Sequence, residues 1–225
     1  MLKLKMRSIL RAAIVVLALS SVAQANTLGR VQIARLQYEG GGDWYCDPSS
    51  LANWQDLFQA RTGIPTANRE AVVTLDSEDL YQYPFLYVSG HGRIALDDHD
   101  MKALRRYLAA GGFLYVDDNY GLDASFRRLA ADLYPDEELA PLGSDHPIYR
   151  SFYRLPGLPK IHQHDGEPAQ GFGVSKEGRL LIYYSYSSDI GDGLEDPGVH
   201  NDPATAREEA TRMAVNILMY AMTHP

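Results

Sequence analysis

The sequence predicts an α/β fold with three layers, in which helices cover both faces of a mostly parallel sheet. Short apolar runs alternate with longer segments whose apolar residues recur at helical spacing. That alternation indicates βαβ units, whose crossover helices make neighbouring strands parallel. After about Leu139 the chain becomes rich in Pro, Gly, Tyr and His, and the stretch around Glu177–Gly178 is typical of a hairpin. We therefore expect a C-terminal half rich in loops and hairpins.

Four strands are expected before that change of pattern. The first alternates apolar and polar residues and is broken by Gly40–Gly42, while the third and fourth are short apolar runs typical of buried strands. Each of these two runs ends abruptly in a polar turn, SGHG after Val88 and DDNYG after Val116. The expected strands are 31–38, 71–75, 85–88 and 113–116.

Capping residues place helices between and after these strands. Asp47 stands before a proline, which is typical of an N-cap followed by the first helical position, and Gly63 ends that helix. Asp97 and Asp123 are expected to cap the next two helices. Pro203 opens a last helix with one apolar face.

The N-terminus has the layout of a secretory signal peptide. A basic start is followed by the apolar run Ala12–Leu19 and by small residues that end at Ala25. The run is shorter than the roughly 20 residues that a membrane span needs. We therefore expect residues 1–25 to be removed and residues 26–225 to form a single periplasmic or secreted α/β domain, with no stable membrane insertion after cleavage.

Composition limits the partners of the exported chain. The predicted signal carries four of the 21 Lys and Arg residues and none of the 29 Asp and Glu residues, which leaves 17 basic against 29 acidic residues and a net charge of −12. Such a chain is not expected to bind nucleic acid or an anionic membrane surface. Cys46 is the single cysteine, so no internal disulfide can form.

The turns that follow the strands carry the candidate site. In a parallel sheet these turns lie along one edge, and ligands of open α/β sheets bind in the crevice there. Glycines at such turns let a backbone approach a ligand closely, and a histidine can exchange protons near neutral pH. The candidate catalytic residues are His91, Asp117 and Asp118, and the candidate ligand-binding residues are Gly41, Gly42, Asp43, Trp44, Gly90 and Asn119.

A structural interpretation of the same residues stays open. Gly90 and Gly92 can serve to shape a tight turn, with His91 capping a helix or bonded to a backbone carbonyl. Asp117 and Asp118 can be helix caps, although one cap needs only one carboxylate.

Histidines of the second half suggest a divalent metal. His162 and His164 alternate along one segment, so both can face the same ion, and His146 and His200 are candidates to complete the ligand set. Nitrogen and oxygen ligands favour zinc or manganese over calcium. The alternative is a polar, loop-rich surface on which these imidazoles only make hydrogen bonds.

Several motifs together resemble one bacterial family. GGGDWY, PFLYVSGHG, LRRYLAAGGFLYVDDNYG, DHPIYRSFY, KIHQHDG and EDPGVHNDP are similar to the bacterial domain of unknown function numbered 4159, over nearly the whole exported chain. The resemblance implies a flavodoxin-like or glutamine amidotransferase-like fold, and association with MoxR-type ATPases and von Willebrand A domains. It implies no reaction. Glutamine amidotransferases use a cysteine at a strand–helix corner, and neither corner here has one.

Two functions are consistent with these observations. The first is a binding module of the cell envelope, whose crevice holds a small polar ligand or an envelope protein. The second is a metal-dependent hydrolase of a polar envelope substrate, in which His91 and the carboxylates act with the histidine loop. Because no complete catalytic set can be named, the sequence favours the binding module.

Overall fold

The computed structural model describes residues 29–162 and 166–224. Its described residues form one seven-stranded sheet with the strand order β2-β1-β3-β4-β7-β6-β5. The strands are β1 Ala34–Leu36, β2 Ala71–Val73, β3 Phe85–Val88, β4 Phe113–Asp117, β5 Ala140–Pro141, β6 Gln170–Lys176 and β7 Arg179–Tyr186. The helices are α1 Ser50–Thr62, α2 Asp98–Ala109, α3 Asp123–Leu133, α4 Ile190–Leu194 and α5 Ala204–Thr223, with 3-10 turns at Leu80–Gln82 and Pro147–Tyr149. The predicted signal peptide, residues 1–25, lies outside the described residues.

The sheet confirms the expectation of a mostly parallel α/β fold. Strands β1 to β4 and β7 run parallel to one another, while β6 is antiparallel to β7 and β5 is antiparallel to β6. Strand β1 lies between β2 and β3. The sheet is therefore extended on one side of β1 by β2 and on the other side by β3 and the strands after it. This reversal of strand order creates a switch point between β1 and β3, the position at which open α/β sheets bind ligands.

Alternate residues of the central strands belong to two separate hydrophobic clusters. Leu86 and Leu114 lie in the cluster that includes buried residues of α2 and α3. Phe85 and Phe113 lie in the cluster that includes buried residues of α1 and α5. This division follows from the two-residue repeat of a strand, which points successive side chains to opposite faces of the sheet.

An aromatic group supports the centre of the sheet below the candidate site. Trp54 of α1 contacts the rings of Phe85, Tyr87 and Tyr115 edge to face, with centroids 5.7, 6.0 and 5.8 Å away. Tyr115 stacks on Tyr183 of β7 at 5.7 Å. Such pairs add packing energy to the burial of their large apolar surface, so the strands that carry the site are held rigidly.

Local signals predicted several element ends correctly. Strand β3 has the expected bounds, and Gly63 ends α1 in the left-handed conformation, at φ 75°. Asp97 caps α2 by accepting the backbone N–H of Asp100 at 2.8 Å. The hairpin turns at Glu177–Gly178, whose φ values of 53° and 81° are typical of a tight two-residue turn.

Two predicted caps were wrong. Helix α1 begins at Ser50 rather than directly after Asp47, because Asp47 has a left-handed φ of 52°. The first backbone N–H groups of that helix are instead bound by Glu195, whose Oε1 accepts from Ser49 at 2.8 Å and from Ser50 at 3.0 Å. Asp123 is the first residue inside α3, where its carboxylate binds the Arg127 side chain at 2.6 Å.

None of the helices in the described part of the chain has both the length and the apolar character that crossing a bilayer requires.

Candidate functional site

The turns after β1 and β3 meet at the switch point. The backbone N–H of Gly42 donates to the carbonyl of Arg93 at 2.9 Å, and that of Asp43 donates to the carbonyl of His91 at 3.3 Å. The turn after β4 lies beside them, since a Cβ placed on Gly121 would stand 3.4 Å from the backbone nitrogen of Gly92. Three turns that are far apart in sequence therefore share the carboxyl edge of the sheet.

Asp43 and His91 form an exposed pair at this edge of the sheet. His91 Nδ1 lies 3.1 Å from Asp43 Oδ2, and the His91 backbone N–H donates to Asp43 Oδ1. The side chain of His91 is 51 % exposed and that of Asp43 is 36 % exposed. Their hydrogen bonds fix the two groups relative to each other, while their exposure leaves them open to a ligand.

Close backbone contacts explain the glycines of the crevice. Gly90 has φ +147°, and a Cβ there would lie 2.2 Å from the hydroxyl oxygen of Tyr38. A Cβ on Gly42 would lie 2.8 Å from the carbonyl oxygen of Arg93, whereas Gly41 faces open space with φ +89°. The absence of a side chain thus lets the turns after β1 and β3 approach each other.

A buried arginine holds the rest of the first turn. The Arg35 guanidinium donates to the carbonyl oxygens of Trp44, Cys46 and Asp47 at 3.1, 2.7 and 3.2 Å. It also lies over the ring of Tyr87, 5.4 Å from the centroid. Three hydrogen bonds from one rigid cation fix the path of this turn into the site.

A hydrogen-bonded polar network lies beneath the exposed pair. Asn119 accepts from the Ser89 hydroxyl at 2.8 Å and donates to Asp47 Oδ2 at 2.6 Å. Cys46 Sγ lies 3.3 Å from Ser89 Oγ. Burial, and next the charge of Asp47, raises the pKa of the Cys46 thiol. The protonated thiol is a weak nucleophile. It is also a weak metal ligand, although Cys46 lies close enough to Asp43 and His91 to share an ion with them.

Asp117 is a fully buried acceptor at the end of β4. Its Oδ1 accepts from the Ser185 hydroxyl at 2.5 Å and from the Ile190 N–H at 3.3 Å, and its Oδ2 accepts from the Gly191 N–H at 2.6 Å. Burial raises the pKa of Asp117 to about 6. The hydrogen bonds from Ser185 and Gly191 lower the pKa and offset only part of that rise. The carboxylate thus joins β4 to the start of α4.

Asp118 lies apart from Asp117, although the two are adjacent in sequence. Burial raises the pKa of Asp118, and hydrogen bonds from the Tyr184 hydroxyl and the local backbone oppose that rise. Tyr184 also donates to Asp123 at 2.9 Å and belongs to the hydrophobic cluster of α2 and α3. Tyr115, two positions before Asp117 in β4, belongs to the opposite cluster with Tyr87. The two predicted catalytic carboxylates therefore face different surroundings.

Several carboxylates gather next to Asp117. A Cβ placed on Gly191 would stand 2.7 Å from Asp47 Oδ2 and 3.3 Å from Asp117 Oδ2, so only a glycine fits there. Burial, followed by the charge of Asp117, raises the pKa of Asp189 to about 10. Burial and the charges of Asp47 and Asp117 also raise the pKa of Asp192.

His162, Asp192, His200 and Asp202 form a histidine–aspartate cluster at the outer side of these carboxylates. Asp192 Oδ2 lies 3.5 Å from His200 Nδ1 and 3.9 Å from His162 Nδ1. Asp202 Oδ1 lies 3.4 Å from His162 Nδ1. Potential ligand atoms of His162, Asp192 and His200 lie within 4.8 Å of one another, which a bound metal ion requires.

The structure brings together two of the four histidines predicted to bind a metal. His162 and His200 have ring centroids 5.8 Å apart. His164 lies outside the described residues. His146 accepts the backbone N–H of Ile148 at 3.2 Å and packs on Tyr220, whose ring contacts Phe113 at the start of β4. His146 therefore lies near the amino end of that strand, and the first two histidines lie near the carboxyl end.

Sequence reasoning did not place Asp47, Asp192 or Asp202 in the site. Asp47 was assigned to a cap, and the other two belong to the acidic stretches SSDIGDG and EDPGVHND. The available signal was the density of aspartate and glycine in those stretches, since glycine permits close packing and aspartate is costly to bury without a partner.

The fold and the site define an α/β protein with a mostly parallel sheet and with polar side chains gathered at its switch point. A family model described as Domain of unknown function (DUF4159) matches residues 32–222, and the chain belongs to that family. None of the curated proteins compared with the chain matches it. The family expected from the sequence is confirmed, and the likeness to glutamine amidotransferases stays a prediction.

Proposed function

We propose that this protein is an exported module of the cell envelope that binds a polar ligand, or a polar segment of a partner, in the crevice between the turns after β1 and β3. The observation that carries the proposal is the exposed pair, Asp43 and His91, which is preformed at the switch point. The strand order also supports the finer expectation of a flavodoxin-like fold, because β2-β1-β3-β4-β7 follows the order 2-1-3-4-5 of that fold.

The chemistry of the pair limits the ligand. A carboxylate accepts hydrogen bonds, and an imidazole can either donate or accept, so the pair suits hydroxyl and amide groups. The exported chain carries net negative charge, which disfavours anionic ligands. Neutral saccharides and peptides of the envelope fit both conditions. A connection to MoxR-type ATPases and von Willebrand A domains rests on the family resemblance.

Binding of soluble muropeptides whose carboxyl groups are amidated, and which therefore carry no negative charge, to residues 26–225 tests the proposal. We expect Asp43→Asn and His91→Gln each to weaken binding about tenfold in calorimetry, because each removes one well-placed hydrogen-bonding group. His99→Gln is the matched control, since His99 is an exposed histidine of α2 that is not part of the pair. Equal affinity of the wild type and both crevice variants would exclude this site.

A metal-dependent hydrolase is the second candidate, favoured by the histidine–aspartate cluster at the same edge of the sheet. In that case the same muropeptides are cleaved, and added EDTA stops the cleavage. Mass spectrometry of the mixture with and without zinc separates the two candidates, because a binding module leaves every muropeptide intact.

A further inference from the structure

We propose that the histidine–aspartate cluster of His162, Asp192, His200 and Asp202 binds one zinc ion. This inference holds for either candidate function, because it concerns the metal and not the ligand. It rests on the spacing of the four side chains, on their burial and charge, and on the way the backbone holds them.

The spacing fits a tetrahedral ion. A zinc ion with ligand bonds of about 2.0–2.1 Å keeps its ligand atoms roughly 3.3 Å apart. The measured His–Asp separations are 3.4 Å for His162 with Asp202, 3.5 Å for His200 with Asp192 and 3.9 Å for His162 with Asp192. His162, Asp192 and His200 have potential ligand atoms within 4.8 Å of one another, and Asp202 joins them through its 3.4 Å contact with His162.

The carboxylates of the cluster are buried without a cation. Their side chains are only 5 % exposed in Asp192 and 7 % exposed in Asp202. Within the described residues, the ion pairs of both carboxylates are made with histidines, and no lysine or arginine nitrogen joins them. Asp202 Oδ2 is buried and has no hydrogen-bond partner among residues 29–162 and 166–224. A buried oxygen of this kind is costly, and a bound ion would satisfy it.

Separate segments position the four side chains. The backbone N–H groups of Ile161 and His162 both donate to the carbonyl of Ser188, at 3.0 and 3.3 Å. Asp192 lies on α4, whose first N–H groups are bound by Asp117. Asp202 lies directly before α5. Backbone hydrogen bonds thus fix the segments of His162 and Asp192, as a preorganised metal site requires.

Access and charge also suit zinc. The imidazoles are partly exposed, 32 % for His162 and 28 % for His200, so an ion can enter from solvent. Two neutral imidazoles and two carboxylates give a net charge of about −2, which a divalent ion neutralises. The rival group of Asp43, Cys46 and His91 is more exposed, and its thiol is kept protonated by burial.

Zinc binding to residues 26–225 tests the proposal directly. After removal of metal with EDTA, we expect the wild type to take up one zinc ion per chain by elemental analysis, and a cobalt-loaded sample to give the strong visible absorption of tetrahedral Co²⁺. His200→Ala and the isosteric Asp202→Asn should each weaken zinc binding at least tenfold in calorimetry. His99→Ala, which alters the exposed and separate ligand group of Asp97, His99 and Asp100, should leave zinc binding unchanged.

Two results would overturn the inference. One is a correctly folded wild type, judged by circular dichroism, that retains less than about 0.1 zinc ion per chain at micromolar zinc, where a site of this kind is filled. The other is zinc binding that is lost in His91→Ala and kept in His200→Ala and Asp202→Asn, which would assign the ion to the rival group. Failure of muropeptide binding affects neither readout, so the proposed function and the zinc site fail separately.

Discussion

The carboxyl edge of the sheet contains two histidine–aspartate arrangements that differ in burial. Both arrangements use the same residue types at similar distances. His91 lies 3.1 Å from Asp43 in the exposed pair, and His162 lies 3.4 Å from Asp202 in the cluster. The Asp43 side chain is 36 % exposed, whereas those of Asp192 and Asp202 are almost fully buried. Water screens the first arrangement, so it is free to bind a ligand, while the second needs a cation for its charge.

The charges behind each arrangement increase this difference. Under the turn of Asp43 lies the buried cation of Arg35, which holds the backbone of Trp44 and Cys46. Behind Asp192 lie the carboxylates of Asp47 and Asp117, which raise its pKa. A buried positive charge therefore lies behind the exposed pair, and buried negative charges lie behind the histidine–aspartate cluster. This difference favours a metal ion at the cluster only.

The largest effect is expected for Asp117→Ala. The substitution removes the acceptor of the Ile190 and Gly191 N–H groups and of the Ser185 hydroxyl, all of which are buried. We expect a loss of about 3 kcal/mol in the free energy of unfolding, because each buried donor left without a partner costs about 1–3 kcal/mol. Urea denaturation at pH 7 measures it. A loss below about 1 kcal/mol would contradict a structural role for this carboxylate.

An intermediate effect is expected from pH. The folded-state pKa of Asp189 is raised to about 10, so between pH 4 and pH 10 the folded chain holds a proton that the unfolded chain has released. The free energy of unfolding of metal-free protein should therefore fall as pH rises, by up to about 1.4 kcal/mol per pH unit for this group. Asp117, with a pKa of about 6, adds to the fall only below that pH.

Asp189→Asn isolates that contribution. Asparagine is neutral and tolerates the left-handed φ of 60° at this position. Urea denaturation in EDTA at pH 6, 7 and 8 should show a shallower decline for the variant than for the wild type. Parallel declines would mean that Asp189 ionises normally in the folded protein and that the buried carboxylates do not interact as described.

The smallest effect on stability is expected for Asp43→Asn. Because the pair with His91 is exposed, its loss should change the free energy of unfolding by about 0.5 kcal/mol or less. Urea denaturation at low and at 0.5 M salt checks this value. A destabilisation as large as that of Asp117→Ala would remove the contrast between the exposed pair and the buried carboxylates.

The sequence was informative where the signal is local. Apolar runs placed β3 and the hairpin, and Gly63 and Asp97 placed two helix ends, because a few neighbouring residues decide each of these features. It also placed Asp43 and His91 in turns at one edge of the sheet, since strand direction in βαβ units fixes where the turns lie.

Tertiary structure decided the features that depend on distant residues. Glu195 replaces Asp47 in binding the first N–H groups of α1. The cluster combines His162 with Asp192 and Asp202, which local spacing does not connect. Burial raises the pKa of Asp189, and no local pattern predicts burial of a carboxylate. The sequence by itself thus determined the central strands and the turns that carry the candidate residues. Long-range packing determined which carboxylates are buried there, because electrostatic energies depend on distance and solvent exposure in the folded chain.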